Sequence, residues 1–416
     1  MEENDPELQD IPRHVSIRDA TGEAVTFQLH HEQRAALAYG VSGREIVSLH
    51  ASYGTGKTTT AALMAILNAT SPPHPLIHHR VPGTEPPSRR PPRHRHQQYR
   101  IMEKRCSSIV SKVIDSMMTV RPPKIIGATI STLLNTCGIL PGILGKLIQA
   151  HNGRIILIGD ESSQIPEPAI YALAHKIPTA VHRYFGDEAQ LEPFCRIARN
   201  STMAKAAARG ASTILARAPH VPKLSLRRTL RAHPKLVELP SRLFYHNSLL
   251  PETSPEARDS VLRVLDFPVP DLPLLLINRN EAEAGVANTI AKRLVQTGIP
   301  AASIAHVCFY KDQTQALQEL NVPGEITTVD AAQGKEYEVT IILTIRTDTG
   351  STEFISDPHR VNVALTRARS ATFILGAKNT LRASTTWSAV IDYCEVNGCF
   401  LDEDEAVARL TPSGTS

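Results

Sequence analysis

Ile46-Val47-Ser48-Leu49-His50-Ala51-Ser52-Tyr53-Gly54-Thr55-Gly56-Lys57-Thr58-Thr59 is the stretch on which the reading of the whole chain turns. Ile46, Val47 and Leu49 form a short apolar run suited to a buried strand, Gly54 and Gly56 supply a turn, and Thr59 to Leu67 reads as a helix. Strand, glycine loop and helix in that order make a phosphate-binding loop. Backbone N–H groups can curl around phosphate oxygens, and the start of the helix adds positive partial charge. Lys57 is placed to reach the β- and γ-phosphates of ATP, and the Thr58 hydroxyl to hold Mg²⁺. Gly54, Thr55, Gly56, Lys57, Thr58 and Thr59 are therefore assigned to nucleotide binding. Where the general G-x-x-x-x-G-K-T pattern has its first glycine, this chain has Ala51, a departure that bears on ATP affinity more than on fold.

Further along, Ile155-Ile156-Leu157-Ile158-Gly159-Asp160-Glu161 is a continuous apolar run ending in two carboxylates, the pattern of a central parallel strand whose C-terminal end faces a ligand. Asp160 is expected to hold Mg²⁺ through water, and Glu161 to orient or deprotonate the attacking water. A third segment, Val181 to Pro193, again runs strand-like into Gly186-Asp187, and Gln190 stands where an amide can sense a γ-phosphate.

Together with Asp160-Glu161-Ser162-Ser163-Gln164, these segments resemble a superfamily 1 helicase, in the branch of the nonsense-mediated-decay and senataxin-type helicases. The resemblance covers most of residues 27 to 400. It makes Gln33 the residue that reads the adenine edge, and it makes Ala128-Thr129 a nucleic-acid-contacting turn. Thr229-Leu230-Arg231-Ala232-His233-Pro234, followed by Phe244-Tyr245, is similar to the family's Q-Y-R-M-H-P and F-Y signature, with Arg231 as an arginine finger. Leu230 stands in place of the family tyrosine, which implies loss of a base-stacking contact. Thr328-Val329-Asp330-Ala331-Ala332-Gln333-Gly334-Lys335-Glu336 resembles the T-V-D-x-x-Q-G-x-E segment that couples nucleotide to nucleic acid, so Thr328, Gly334 and Glu336 join the site residues. Arg360 to Arg369 matches the R-x-N-V-A-x-T-R-A helix, with Arg367 as a second finger.

The resemblance implies an α/β fold of two tandem RecA-like P-loop NTPase domains with parallel sheets. It also implies an ATP- and Mg²⁺-dependent helicase moving on single-stranded RNA or DNA, with 5′ to 3′ polarity. Phosphoryl transfer is mostly positioning and charge stabilisation, which calls for Lys57, Mg²⁺, Glu161, Gln190, Arg231 and Arg367 together. The competing reading is a degenerate helicase that binds ATP or nucleic acid without productive unwinding. A P-loop kinase or transporter ATPase has no use for the segments Thr328–Glu336 and Arg360–Arg369.

With 416 residues, 42% of them hydrophobic, the chain can bury two cores of ordinary domain size. Alternating strands and helices predict parallel sheets. The expected strands are 45–50, 124–129, 154–160 and 180–186, then 272–278, 303–310, 325–329, 338–345 and 372–377. The layout is a flexible tail at 1–24, a first RecA-like domain at 25–220, a second at 221–400 and an acidic tail at 401–416. The join falls near residues 218–224.

Net charge is only +4, but its distribution is uneven. Between Glu192 and Glu238 there are ten Lys or Arg and no acidic residue, which fits either a cationic track for a phosphate backbone or a solvated, partly mobile linker. With 5% aromatic residues, backbone tracking is favoured over base stacking. Residues 71–98 are rich in Pro and Arg and are unsuited to a central strand, because proline lacks a donor and fixes φ. The tract reads as disordered or polyproline-like: a basic tether, an insertion, or sequence foreign to the mature protein.

The six cysteines form no CxxC pair, and the histidines of the Pro/Arg tract lack suitably spaced partners, so no metal site built on them is expected. Free thiols fit a reducing compartment. No apolar run reaches membrane-spanning length and residues 1–10 are acidic, so the expectation is a cytoplasmic or nuclear protein with no membrane partner. No protein partner is indicated. Trp387 to Cys399 reads as an amphipathic closing helix packed on the core.

Overall fold

The computed structural model describes residues 11–18, 23–70, 99–100, 116, 120, 123–138, 155–194, 201–269, 271–278, 283–344 and 353–410. The Pro/Arg tract 71–98, residues 1–10 and 411–416, and Arg196 and Arg199 of the basic run lie outside the described residues. The chain divides into two compact units, Met1–Ala51 with Lys57–Asp187 and Glu192–Leu226, and Ser52–Gly56 with Glu188–Leu191 and Arg227–Ser416.

The first unit opens with an antiparallel hairpin of β1 (His14–Arg18) and β2 (Ala24–Gln28). Its main sheet contains β3 (Ile46–Ala51); two-residue strands β4 (Tyr99–Arg100) and β5 (Ile126–Gly127) pair separately. With β6 (Ile156–Gly159), β7 (Val181–Gly186) and β8 (Lys223–Leu226), the order is β6-β7-β3-β8, all parallel. Because β3 lies inside the sheet, the loop that follows it leaves from the middle of the C-terminal edge, where open parallel sheets bind ligands. Val47, Leu49 and Ala51 alternate onto one face, against Ala36 and Leu37 of helix His31–Val41 and Leu63 and Met64 of helix Lys57–Thr70. Tyr184 faces the other side, with Ile165, Ala211 and Leu215.

In the second unit, β9 (Arg228–Thr229) and β10 (Leu250–Pro251) form a small parallel pair. The main sheet comprises β11 (Leu274–Asn278), β12 (Ile304–Cys308), β13 (Glu325–Thr328), β14 (Tyr337–Leu343), β15 (Ala368–Gly376) and β16 (Phe400–Asp402). Its order is β13-β12-β14-β15-β11-β16, parallel throughout. The period of two is visible in how the strands are buried. Leu276, Val307, Ile342 and Ile374 enter one core with Trp387, while Ile277, Cys308, Ile341 and Phe373 enter the other with Ile290 and Leu294 of helix Glu283–Gln296.

Both units are thus α/β with parallel sheets, as expected from sequence, and two boundaries differ instructively. The closing helix runs Thr385–Val396 rather than to Cys399. Gly398 takes φ +68°, and the Cys399 amide bonds back to the Cys394 carbonyl at 2.9 Å, a helix-ending turn that favours glycine. The segment Arg360–Arg369 is not one helix. Helix Pro358–Leu365 stops where the Thr366 hydroxyl donates to the Asn362 carbonyl at 2.7 Å, and Ala368 already begins β15.

Candidate nucleotide site

In the first unit, the residues after β3 and β6 meet. The Lys57 ammonium lies 3.0 Å from Glu161 Oε2, with the lysine side chain 10% exposed and the glutamate 31%. Beside it the Thr58 hydroxyl donates to Asp160 Oδ2 at 2.8 Å, and the Glu161 amide donates to Asp160 Oδ1 at 2.9 Å. Glu161 itself adopts a left-handed conformation, φ 51° and ψ 45°. Such a backbone costs a non-glycine residue on the order of 1–3 kcal/mol and is concentrated at functional sites. Here it turns the chain sharply from β6 into the Ser162–Gln164 turn, leaving both carboxylates at the end of the strand.

Ala51 ends β3 with 1% of its surface exposed and packs with Leu49 and Phe185. Its φ is not positive, whereas Gly54 (+69°) and Gly56 (+74°) occupy the left-handed region. The loop thus keeps glycine where its backbone requires one and carries alanine where the strand is still extended.

Gln33 is buried in the first turn of helix His31–Val41, where its Oε1 accepts from the His30 amide at 3.1 Å. Thr129 lies apart, its hydroxyl 2.8 Å from Thr132 Oγ1 and accepting from the Thr132 amide as helix Ile130–Gly138 begins. Thr59 is half-buried in the first turn after Lys57.

The second unit gathers the other candidates. Ser52–Gly56 and Glu188–Leu191, carrying Gly54, Thr55, Gly56 and Gln190, group with it. The Leu230 amide donates to the Gly54 carbonyl at 2.9 Å, and a Cβ on Gly54 would come within 2.7 Å of Arg231 Cβ. Gln190 is buried, and Asn362 Nδ2 donates to the preceding carbonyl, Ala189 O, at 2.8 Å. Arg231 pairs through Nε with Glu336 Oε2 at 2.8 Å and through Nη1 with the Thr366 carbonyl at 3.0 Å. Arg369 reaches the other oxygen of Glu336. Burial pushes the Glu336 carboxyl up, but Arg369 and Arg231 together outweigh it and hold the group below the usual carboxylate range.

Arg367 is 1% exposed. Its guanidinium donates to the Val363 carbonyl at 2.9 Å, the Lys335 carbonyl at 3.2 Å and Thr366 Oγ1 at 2.8 Å. It therefore ties the end of its helix to the loop carrying Gly334, whose φ of +78° requires a glycine-like backbone. In that loop Thr328 caps the turn, its hydroxyl accepting from the Ala331 amide at 3.4 Å, and Asp330 Oδ1 accepts from Arg360 Nε at 2.9 Å.

Arg369, Arg360 and Asn362 all stand within the segment Arg360–Arg369, yet their roles are not legible from it. Their partners, Glu336, Asp330 and Ala189, are remote in sequence, and spacing along one segment does not reveal such pairs. The basic run also changes character once partners are visible. Arg209 pairs with Glu167, Arg228 with Glu252, Arg231 with Glu336 and Lys235 with Glu238, so its described arginines are in good part neutralised by carboxylates from elsewhere. Leu230 is 40% exposed.

Comparison with known proteins completes the picture. Residues 212–379 match a family described as an AAA domain. An uncharacterized ATP-dependent helicase of Caenorhabditis elegans is 29% identical over 265 residues, 59% of this chain and 17% of that protein. A regulator of nonsense transcripts 1 from Dictyostelium discoideum is 28% identical over 208 residues, 44% of this chain and 16% of that protein. The chain is thus similar to ATP-dependent helicases, a regulator of nonsense transcripts among them. A 5′-3′ DNA helicase of Mus musculus is likewise 29% identical over 261 residues, covering 58% of this chain and 14% of the mouse protein. The chain thus spans under a quarter of the length of these curated relatives. Among solved structures, the PRRSV helicase aligns at a TM-score of 0.40 and 13% identity, over 89% of this chain and 63% of that one.

Among the described residues, no helix is long and apolar enough to cross a membrane, and no group of three or more His, Cys, Asp or Glu is arranged to hold a metal ion. A magnesium ion bound with nucleotide needs less. It keeps several waters and uses one or two protein oxygens plus the phosphates, which fits the Thr58 hydroxyl and the Asp160 carboxylate as they stand.

Proposed function

We propose that this chain carries an ATP-hydrolysing helicase core that engages single-stranded nucleic acid and couples hydrolysis between its two units to movement along the strand. The observation that carries the reading is the adjacency, at the C-terminal ends of β3 and β6, of Lys57 with Glu161 and of Thr58 with Asp160. An ammonium, a carboxylate on a strained backbone, and a hydroxyl–carboxylate pair are the set needed to hold a triphosphate and activate water.

In this proposal Lys57 leaves Glu161 for the β- and γ-phosphates, and Glu161 is released to accept a proton from the attacking water. Bound Mg²⁺ would neutralise charge developing on the phosphate oxygens, with Thr58 and Asp160 as its protein partners. Gln190 senses the γ-phosphate, Arg231 and Arg367 stabilise the transition state, and Gln33 reads the base. Thr129, Thr328 and the described part of the basic run contact the strand, by grip on phosphate and sugar. A nuclear or cytoplasmic location accords with the thiol content.

A second reading, a degenerate relative that binds without turning over, draws on one observation: Arg367 is buried with its donors committed to Val363, Lys335 and Thr366. Steady-state ATP hydrolysis by the purified chain, with and without single-stranded RNA or DNA, separates the two. Turnover stimulated by one polymer supports the enzyme and identifies its strand. Strand and ATP binding with no turnover supports the degenerate reading.

A further inference from the structure

Arg183, on β7, has none of its surface exposed. Its guanidinium donates to three backbone carbonyls: Nε to Gly40 at 3.0 Å, Nη2 to Ser42 at 2.9 Å and Nη1 to His182 at 3.0 Å. Burial, and then the charge of Arg44, lower its pKa to about 10. Burying a guanidinium is costly unless its bonds are well made, so its placement calls for an explanation.

Two of its acceptors lie at the end of helix His31–Val41, where carbonyls lack intrahelical partners and carry negative partial charge. The Gly40 carbonyl also receives Asn68 Nδ2 at 3.4 Å, from helix Lys57–Thr70. Met64 of that helix lies so close that a Cβ on Gly40 would collide with it. At this one joint, then, β7 and the two helices meet. Gln33 stands seven residues before Gly40, and Lys57 seven before Met64. Seven residues is about 10 Å of helix, so Gln33 and Lys57 each stand about two turns along their helices from this joint.

We propose that Arg183 is a positioning residue for base recognition, fixing the helix that carries Gln33 against the helix that carries Lys57. This rests on the assignment of ATP to the site above.

The test is calorimetric binding of ATP, GTP and inorganic tripolyphosphate to the full chain and to Arg183→Lys and Arg183→Gln. Lysine keeps the charge but lacks the three-way fork. The expected result is ATP binding weakened about fivefold to tenfold, the worth of one well-made hydrogen bond, with a narrowed preference over GTP and unchanged tripolyphosphate binding. Gln33→Ala should show the same pattern, and combining it with Arg183→Lys should add little. Should Arg183→Gln fail to melt cooperatively, Arg183→Lys carries the test. Unchanged ATP binding in Arg183→Lys, or equal weakening of ATP and tripolyphosphate, overturns the positioning role and leaves the ATP assignment standing. A parent chain that binds neither ATP nor tripolyphosphate overturns both.

Discussion

Lys57 and Glu161 form an ion pair, 3.0 Å between Nζ and Oε2, at the end of the strands β3 and β6. The ammonium has as its counter-charge the carboxylate proposed to activate water, so under the proposed function ATP would exchange one anion for another. Replacing Glu161 by Gln keeps the shape, removes the base and frees Lys57 of its competitor. Turnover should fall by about 10²–10⁴, the usual worth of a positioned general base. Binding of ATP should hold or tighten. A parent-like rate in single-turnover hydrolysis would remove Glu161 from its role.

The pair Thr58–Asp160 makes a separate claim, since its 2.8 Å contact presents a hydroxyl and a carboxylate oxygen side by side. Asp160→Asn retains a hydrogen-bonding group and loses the charge. The magnesium concentration giving half-maximal hydrolysis should rise about tenfold to a hundredfold, as for other residues acting on a metal through water. A magnesium titration of the ATPase rate checks this, and an unmoved midpoint would place the ion elsewhere.

Arg231 is held by Glu336 at 2.8 Å, and Glu336 also takes Arg369. Arg231→Ala is expected to lower kcat by roughly 10³ while ATP binding changes little, as for an arginine acting mainly on the transition state. Loss of binding with an unchanged kcat would instead make it a ground-state contact.

Much of this arrangement was legible in the sequence because it rests on local patterns. The apolar runs before Ser52 and Asp160 gave their strands, and the left-handed Gly54 and Gly56 announced the loop between strand and helix. What could not be read was pairing across distance. Arg369 and Arg231 share Glu336, and Arg209 reaches Glu167, through folding that brings remote segments together. Spacing also misled at Arg360–Arg369, where a single segment is divided between a helix and a strand by a side chain, Thr366, that bonds back to its own helix. The closing helix ends at Val396, three residues short of Cys399, because Gly398 takes the left-handed turn.

Trp387 anchors one core of the second unit. It is fully buried, its indole N–H donates to the Ile355 carbonyl at 2.8 Å, and it packs edge-on to Phe309 with ring centroids 5.7 Å apart. Trp387→Ala should cost about 3–5 kcal/mol, from lost burial and a cavity that the parallel sheet cannot fill. Urea unfolding followed by circular dichroism measures it. A cost under about 1 kcal/mol would show that the side chain is far less confined than its contacts indicate.

His306 sets a pH limit on the same unit. Its side chain is fully buried on β12, with Nε2 2.9 Å from the Pro323 carbonyl and Nδ1 unpartnered. The short contact makes Nε2 the donor, so protonation would place a second N–H at Nδ1, where no acceptor awaits it. Burial lowers its pKa below 6.5, only partly offset by the bond to Pro323. A depressed folded-state value means that the neutral ring is the native form. Its contribution is fully present above the unfolded value near 6.5 and is lost as pH falls from there through the folded pKa. Stability should therefore decline as pH drops from 7 to 5, by up to about 1.4 kcal/mol per pH unit for one such group. His182 and His233 are lowered by burial too and add to the parent's slope. His306→Gln, which can still donate to Pro323 without titrating, isolates the single group: its unfolding free energy should fall less steeply across that interval. An identical slope in parent and variant would mean that His306 is not the residue titrating there.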